Sequence, residues 1–101
     1  MSYRFSAALW RWKGDAPAAW VFVTLPADIA FAIKVQAEAR AWGSVKVTAR
    51  IGGTTWSTSL FPEKGFLREG GGSYLLPVKA AVRRAEKLGD GDTVEIELTT
   101  E

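Results

Sequence analysis

Two segments of this chain repeat the same order of local patterns: an apolar strand, a Leu-Pro step, a helix, a glycine turn and an alternating strand. Leu25-Pro26 and Gly43 bound the first helical stretch, and Leu76-Pro77 and Gly91 occupy the corresponding places in the second. Proline suits the first turn of a helix because it has no N–H to leave unpaired there. Neither unit is large enough to bury a core alone, so the repetition predicts that the two stack and close one barrel within a single chain.

The second unit carries the clearer helix and strand patterns. Val94, Ile96 and Leu98 alternate with polar residues, which predicts a strand with one buried face. Before this strand, apolar residues recur every three or four positions and predict a helix that begins at Pro77 and packs inward. Its inward residues are Val78, Ala81, Val82, Ala85 and Leu88. The same spacing after Pro26 predicts the first helix, with a buried stripe of Ile29, Ile33 and Ala37.

A glycine pair joins the two units and predicts the register of a central hairpin. Both residues of Gly52-Gly53 can take a positive φ, as the tight turns of hairpins require. Pairing Ile51 with Thr54 places Ala49 opposite Trp56, so large and small side chains alternate on one face. The other face of this hairpin carries only cations and hydroxyls: Lys46, Thr48, Arg50, Thr55, Ser57 and Ser59.

The amino-terminal part of the chain predicts two further strands. Residues 3–12 alternate well enough for one long strand. Residues 20–25 are apolar at nearly every position, which is typical of a central strand that is covered on both faces. We therefore expect this second strand to be the least exposed of the barrel.

These patterns predict a single domain over residues 1–101, mainly β with two helices and thus of the α+β class. Its pseudo-repeats would cover residues 3–51 and 54–99. Residues 62–73 combine charged residues with a Gly-Gly-Gly triplet and are interpreted as a mobile loop. Since a barrel closed within one chain needs no second chain, we expect a monomer.

Histidine and cysteine are absent from the sequence. Their absence excludes Ser-His-Asp and Cys-His catalysis, disulfides and Cys-based zinc sites. Asp90-Gly91-Asp92 lacks the other ligands of a calcium loop, so we interpret it as a turn and expect neither a metal nor a cofactor. No apolar run approaches the roughly 18 residues of a membrane span, and the first residues lack the features of a signal peptide. We expect a cytoplasmic protein without a membrane partner.

Several motifs resemble those of one known family. They are Gly-Gly-Thr-Thr-Trp at residues 52–56, Ser-Leu-Phe-Pro at 59–62 and Tyr-Leu-Leu-Pro-Val-Lys-Ala-Ala-Val-Arg at 74–83, together with Phe5, Trp10 and Val-Thr-Leu-Pro at 23–26. Through them, nearly the whole chain resembles the domain-of-unknown-function family numbered nineteen hundred and five. The resemblance implies a small closed double-split β-barrel, distantly similar to the barrels of AbrB-type regulators and MazE antitoxins. It implies no established activity, and the stretch at 65–72 departs from the family pattern.

Cations form the first candidate site. Lys79 and Arg83 share one face of the second predicted helix, and a helix that starts at Pro77 has free N–H groups and no Ser or Asp cap. An anion there would accept hydrogen bonds and neutralise the lysine. If the helix packs beside the outer face of the hairpin, the site would also include Lys46, Arg50, Ser57 and Ser59. The alternative is that Lys79, Arg83 and Lys87 form a solvated helix face.

Tryptophans form the second candidate site. Trp10 and Trp12 share a strand face, and with Trp20 or Trp42 they could line an aromatic pocket for a flat ligand or an unstacked base. In a barrel this small, such residues are more often part of the core.

Four functions are compatible with these patterns. The first is a non-catalytic binding module for an anionic small molecule or an acidic protein surface. The second is AbrB-like nucleic-acid binding, which the mild net charge of +2 and the acidic closing strand do not favour. The third is an enzyme or binder of an apolar or aromatic small molecule in a tryptophan-lined barrel cavity. The fourth is a module that only holds a neighbouring protein.

Overall fold

The computed structural model of the protein describes residues 1–13, 20–38, 45–66 and 71–100. Within these residues the protein is mainly β with two helices, as the patterns predict. The elements are β1 (Ser2–Ala8), β2 (Trp10–Arg11), β3 (Val21–Thr24), α1 (Ala27–Glu38), β4 (Val45–Ile51), β5 (Thr54–Pro62), β6 (Tyr74–Pro77), α2 (Ala80–Ala85) and β7 (Thr93–Thr100). Neither helix is long and apolar enough to cross a bilayer.

The strands form one curled, half-barrel sheet in which every pair is antiparallel. Their order is β1-β7-β4-β5-β6-β3-β2. The two strands at the ends of this order, β1 and β2, are separated along the chain by Leu9 alone. The first stretch of the chain therefore pairs with β7 through its beginning and with β3 through its end.

The predicted register of the central hairpin is confirmed. β4 and β5 pair from Val45 opposite Leu60 to Ile51 opposite Thr54, and Ala49 lies opposite Trp56. Gly52 takes a φ of 58°, in the left-handed region that glycine adopts without a steric cost. A tight turn with one left-handed glycine is therefore enough to set the pairing of fourteen residues, seven on each strand.

The core lies on the inner face of the curled sheet. Alternate residues of β7 are buried, so the predicted inward set of Val94, Ile96 and Leu98 is confirmed. Both helices pack against this face, α1 through Ala30 and Ile33 and α2 through Val82. The largest side chains that fill the interior completely are aliphatic apart from one tyrosine: Leu9, Ile33, Leu60, Tyr74, Leu76, Ile96 and Leu98.

The second helix begins later than predicted. Pro77 is the last residue of β6, and the backbone of Lys79 is still extended, with φ −69° and ψ 159°, before α2 starts. The cause is a tertiary pairing, because the Val78 N–H donates to the Val21 carbonyl at 2.9 Å and prolongs the ladder past the proline. With only six helical residues, α2 packs inward through Val82, whereas Ala81 and Ala85 are exposed, contrary to the prediction.

The prediction that the strand at residues 20–25 is covered on both faces is wrong. Val21 and Val23 are buried, but Phe22 is only half-buried and Trp20 is 46% exposed. Because both helices pack on the inner face of the sheet, the outer face of β3 stays at the surface. Its apolar side chains are therefore surface residues.

The described parts of the segment between β5 and β6 are anchored on the core. Phe66 is buried, and its ring lies edge-on to Tyr74 at a centroid distance of 5.0 Å. Lys34 on α1 donates to the Phe66 carbonyl at 3.1 Å, and the buried Ser73 hydroxyl donates to the Leu25 carbonyl at 2.8 Å. The predicted mobile loop at 62–73 is thus held at both of its described ends, and its middle, residues 67–70, lies outside the described residues.

Candidate ligand-binding surface

The outer face of the sheet has a polar part and an aromatic part. On β1, β7, β4 and β5 most outward side chains, apart from Ala8 and Phe61, are charged or carry hydroxyls: Ser2, Arg4, Lys46, Thr48, Arg50, Thr55, Ser57, Glu97 and Thr99. On β2 and β3, apart from Thr24, they are aromatic: Trp10 and Phe22 lie on the strands, Trp12 follows β2 and Trp20 precedes β3. We call these four residues the aromatic face. The sequence analysis did not predict this division, because it placed the tryptophans in the core or in a pocket.

Phe22 lies at the centre of the aromatic face. Trp20, two residues earlier on the same strand, stacks on it with a centroid distance of 6.0 Å and an interplanar angle of 9°. Trp10 is its cross-strand partner, with centroids 5.3 Å apart and rings tilted by 38°. The backbone N–H of Trp12 donates to the backbone carbonyl of Trp20 at 2.9 Å, so the same register brings Trp12 beside Trp20.

The rings of this face are partly open to solvent and partly fixed. Trp12 and Trp20 are each 46% exposed. The indole N–H of Trp10 donates to the Thr24 hydroxyl at 2.9 Å, which fixes the orientation of the ring. A ligand would therefore meet a preformed aromatic surface, to which Trp10 contributes its ring but not its polar atom.

Two of the predicted cations lie at the border of the aromatic face. β3 and β6 pair with Phe22 opposite Pro77, and continuing this register past the Val78–Val21 hydrogen bond brings Lys79 opposite Trp20. Because Val78 points inward and the backbone at Lys79 is extended, the exposed Lys79 side chain points outward. Arg83 is held nearby, since its Nε donates to the Val78 carbonyl at 3.1 Å. The register thus places Lys79 beside Trp20, which the sequence analysis had assigned to a different site, and Arg83 lies against the Val78 carbonyl, one residue before Lys79.

The acidic residue beside these cations is already paired. Asp90 receives two hydrogen bonds from Arg11, from Nε at 2.7 Å and from Nη2 at 3.1 Å. The Arg11 hydrogen bond lowers the pKa of Asp90, and the charge of Arg83 acts in the same direction. Since Arg11 neutralises Asp90, the charges of Lys79 and Arg83 remain available to a ligand.

The other four members of the predicted cation site lie elsewhere. Lys46 is opposite Ser59, and Ser57 is opposite Thr48, on the polar part of the outer face. In the sheet order, β5 lies between β4 and β6, so Lys46 is kept away from Lys79. Ser57 lies on β5, whose pairing with β6 is at Phe61 and Pro62. Arg50, also on β4, donates to Glu97 Oε2 at 3.3 Å, and the same oxygen accepts a hydrogen bond from Arg4 at 2.8 Å.

An open groove of ≈ 470 Å³ lies between the β4–β5 turn, the end of α2 and β7. It is lined by Arg4, Arg50, Ile51, Gly52, Glu86, Val94, Glu95, Ile96 and Glu97. Glu86 accepts a hydrogen bond from the Thr54 hydroxyl at 2.6 Å. Because three carboxylates face two arginines that already share Glu97, this groove suits an anion less well than the border of the aromatic face does.

Three of the four tryptophans of the predicted pocket do not line the interior of the sheet. Trp10, Trp12 and Trp20 lie on the outer face, and among the described residues the inward tryptophan is Trp56, which is 5% exposed. Trp42, the fourth member of the predicted pocket, lies outside the described residues. Sequence reasoning missed Phe22 as a site residue. The available signal was an apolar run on both faces of a strand in a chain with only two predicted helices to cover them.

Comparison with known proteins gives a family but no activity. No curated protein matches the chain. The family model described as Domain of unknown function (DUF1905) matches residues 5–98. That match spans β1 to β7 and includes every residue of the aromatic face together with Lys79 and Arg83. The chain therefore belongs to the family of the domain of unknown function DUF1905.

Proposed function

We propose that this protein is a non-catalytic binding module for an anionic ligand that carries a flat ring. The ligand would stack on the aromatic face and place its negative charge at Lys79 and Arg83. The observation that carries this proposal is the ladder between β3 and β6, which brings Lys79 opposite the half-exposed Trp20.

Each part of this surface favours such a ligand for a physical reason. Binding is favoured when a ligand ring covers an exposed indole ring, and offset stacking adds about 0.5–1.5 kcal/mol to the stabilisation that comes from the buried area. Lys79 and Arg83 supply charge at the border of the rings, and Asp90 does not cancel it because Arg11 already pairs with Asp90. A ligand with both a ring and an anionic group uses both halves of the surface at once.

The chemistry of the surface supports binding without catalysis. The chain has neither histidine nor cysteine, and the hydroxyl on this face, that of Thr24, is engaged by Trp10. A nucleophile needs a general base within hydrogen-bond reach, and the described side chains of the aromatic face offer no such pair.

We also infer that the curled sheet closes into a double-split barrel of two pseudo-repeats. The ladders support this because they are symmetric between the two pseudo-repeats, in which β3 corresponds to β6, β4 to β7, and β1 with β2 to β5. Corresponding strands pair with each other, β3 with β6 and β4 with β7. Likewise, β1 pairs with β7 as β5 pairs with β4, and β2 pairs with β3 as β5 pairs with β6. Closure at Leu9 would make the aromatic face part of a rigid wall, which suits a preformed binding surface.

A thermal-shift experiment tests the proposal. Wild type, Lys79→Ala and Arg83→Ala are compared with Lys46→Ala, a control that removes an exposed cation from the polar part of the outer face. The probes are a nucleoside monophosphate, the matching nucleoside and inorganic phosphate. We expect the monophosphate to raise the melting temperature of wild type and Lys46→Ala by mass action, and to raise that of the other two variants less. Equal shifts in all four proteins, or none in any, would contradict the proposal.

A further inference from the structure

We infer that the ligand of this surface is single-stranded nucleic acid, whose bases stack on the aromatic face while its phosphates approach Lys79 and Arg83. The inference rests on the proposed function and adds the class of ligand. It is carried by the extent of the aromatic surface, by the way its polar atoms are used and by the charge at its border.

The apolar part of the outer face is too long for one ring. Beyond the aromatic face it continues across β6 and β5, where Leu75 is opposite Phe61 and Phe61 is 47% exposed. From β2 to β5 this surface crosses three strand spacings, roughly 14 Å. This track is half-buried at Phe22 and Leu75 and more open at its two ends, and several successive bases can cover it, whereas a single small ligand favours a concave pocket.

The track has little capacity to read a base sequence. Trp10 donates its indole N–H to the Thr24 hydroxyl, so the donor of the central indole is engaged within the protein. Stacking on aromatic rings is tolerant of sequence because every base has a π-face, whereas sequence readout needs free donors and acceptors. We therefore expect binding that is nearly independent of base sequence.

The geometry favours a single strand over a duplex. In a duplex the base faces are covered by neighbouring bases, and a protein must insert a helix or a β-ribbon into a groove to reach the base edges. The aromatic face is instead the outer side of a curled sheet, where rings can stack only on unstacked bases. The number of cations indicates that only a short stretch of the strand is bound, because Lys79, Arg83 and the exposed Lys13 would neutralise about two or three phosphates.

An acidic protein segment is the competing occupant, and it makes a different prediction. Its carboxylates could pair with Lys79 and Arg83, but its binding would not depend on aromatic stacking by the ligand. Nucleic acid is favoured because tryptophan and phenylalanine, rather than aliphatic residues, form the centre of the track.

The test is a fluorescence-anisotropy titration of the full chain with a labelled oligothymidylate of about twelve nucleotides. Competitors are the matching duplex, polyphosphate and poly-glutamate. Trp20→Ala should weaken binding of the oligonucleotide by roughly 5- to 150-fold, as expected for losing one stacked base. Phe31→Ala is the matched control, because Phe31 is a 63% exposed aromatic residue on α1, away from the track, and it should leave the affinity unchanged.

Salt dependence provides a second readout. For two or three phosphate contacts on a single strand, the slope of log affinity against log salt should be about −1.4 to −2, and Lys79→Ala should reduce it by about 0.7. Circular dichroism confirms that each variant is folded. If Trp20→Ala does not fold, Trp20→Leu takes its place, since leucine keeps an apolar side chain but offers no ring.

The outcomes separate the inference from the proposed function. Preference for the single strand over all three competitors, lost in the Trp20 variant, supports both. If polyphosphate or poly-glutamate binds as tightly as the oligonucleotide and the Trp20 variant behaves like wild type, charge alone directs binding; the ring-stacking part of the proposed function then falls, and so does the nucleic-acid inference. Preference for the duplex overturns it as well. If the oligonucleotide does not bind at low salt but the nucleoside monophosphate still raises the melting temperature, the nucleic-acid inference falls and the proposed function stands. If neither binds, both fall.

Discussion

Gly52 is constrained both by its backbone conformation and by the neighbouring side chain of Glu86. Its φ of 58° lies in the left-handed region, and a Cβ placed there would collide with the Glu86 carboxylate. That carboxylate accepts a hydrogen bond from the Thr54 hydroxyl at 2.6 Å. One position thus joins the hairpin turn to the residue that follows α2.

We predict that Gly52→Ala destabilises the protein by about 1 kcal/mol or more, because alanine resists a positive φ and its methyl group displaces Glu86. Gly53→Ala is the control, since a Cβ at Gly53 meets no atom within 4 Å; it should stay within about 0.5 kcal/mol of wild type. Urea unfolding measures both. Equal free energies of unfolding for the two variants would show that the turn does not need its left-handed glycine.

Glu97 carries the pH dependence expected of the polar part of the outer face. A hydrogen bond from Arg4 and the charge of Arg50 hold its pKa below the ordinary value. Because the folded pKa is lower than the unfolded one, these ion pairs contribute stability above about pH 4, and the contribution is lost as the pH falls through the folded pKa. Both arginines are exposed and Glu97 is only half-buried, so solvent screens these ion pairs and the effect is small.

We predict that Glu97→Gln lowers the free energy of unfolding slightly at neutral pH and that the difference from wild type disappears in acid. Glu95→Gln is the matched control on the same strand, because no arginine in the described part of the chain donates to that carboxylate. Urea titrations at about pH 7 and about pH 2.5 provide the comparison. A deficit for Glu97→Gln that persists in acid would mean that its cause is not the ion pairs.

At the scale of elements, local sequence patterns predicted strand pairing correctly where the paired strands are close in sequence. The register of β4 and β5 could be predicted because a two-residue turn fixes it. The start of α2 could not, since the ladder with β3 extends through Val78 and overrides the preference of Pro77 for a helix. Continued past the Val78–Val21 hydrogen bond, the same register places Lys79 opposite Trp20, and no local pattern indicates this pairing of positions 59 residues apart.

We predict that Ser73→Ala loosens the start of β6. The Ser73 hydroxyl is buried and donates to the Leu25 carbonyl at 2.8 Å, while the Ser73 carbonyl accepts from Glu63 at 2.9 Å. Losing the hydroxyl should cost about 0.5–1.5 kcal/mol, and more if the Leu25 carbonyl stays unsatisfied. Ser6→Ala, at an exposed position of β1, is the control for chemical denaturation. No difference between the two variants would show that this hydrogen bond does not anchor the segment.

For the whole molecule, the sequence predicted the class of fold and most of the inward residues, but it did not predict which outward residues form a surface. The inward residues of β7 and β4 could be predicted because buried and outward side chains alternate along each strand with a period of two residues. The position of Trp20 depends on which side of the sheet both helices cover, and this is a property of the assembled fold. A strand that is apolar on both faces was therefore interpreted as internal when one face is at the surface.

We predict that the protein is a monomer in dilute solution, because β1 and β2 meet at Leu9 within one chain and no strand needs to come from a second copy. Light scattering coupled to size-exclusion chromatography measures the mass. A stable dimer that Trp20→Ala dissociates would show that a second copy covers the aromatic face, and it would remove that face as a ligand site.

The binding surface can be located directly by NMR. A titration of the ¹⁵N-labelled chain with a short oligothymidylate should shift the amide resonances of β2, β3 and the end of β6, together with those of Lys79 and Arg83. The amides of β4 and the exposed face of α1 should stay unchanged. Shifts confined to the groove beside Gly52 and Glu95, or no shifts at all at low salt, would contradict the account.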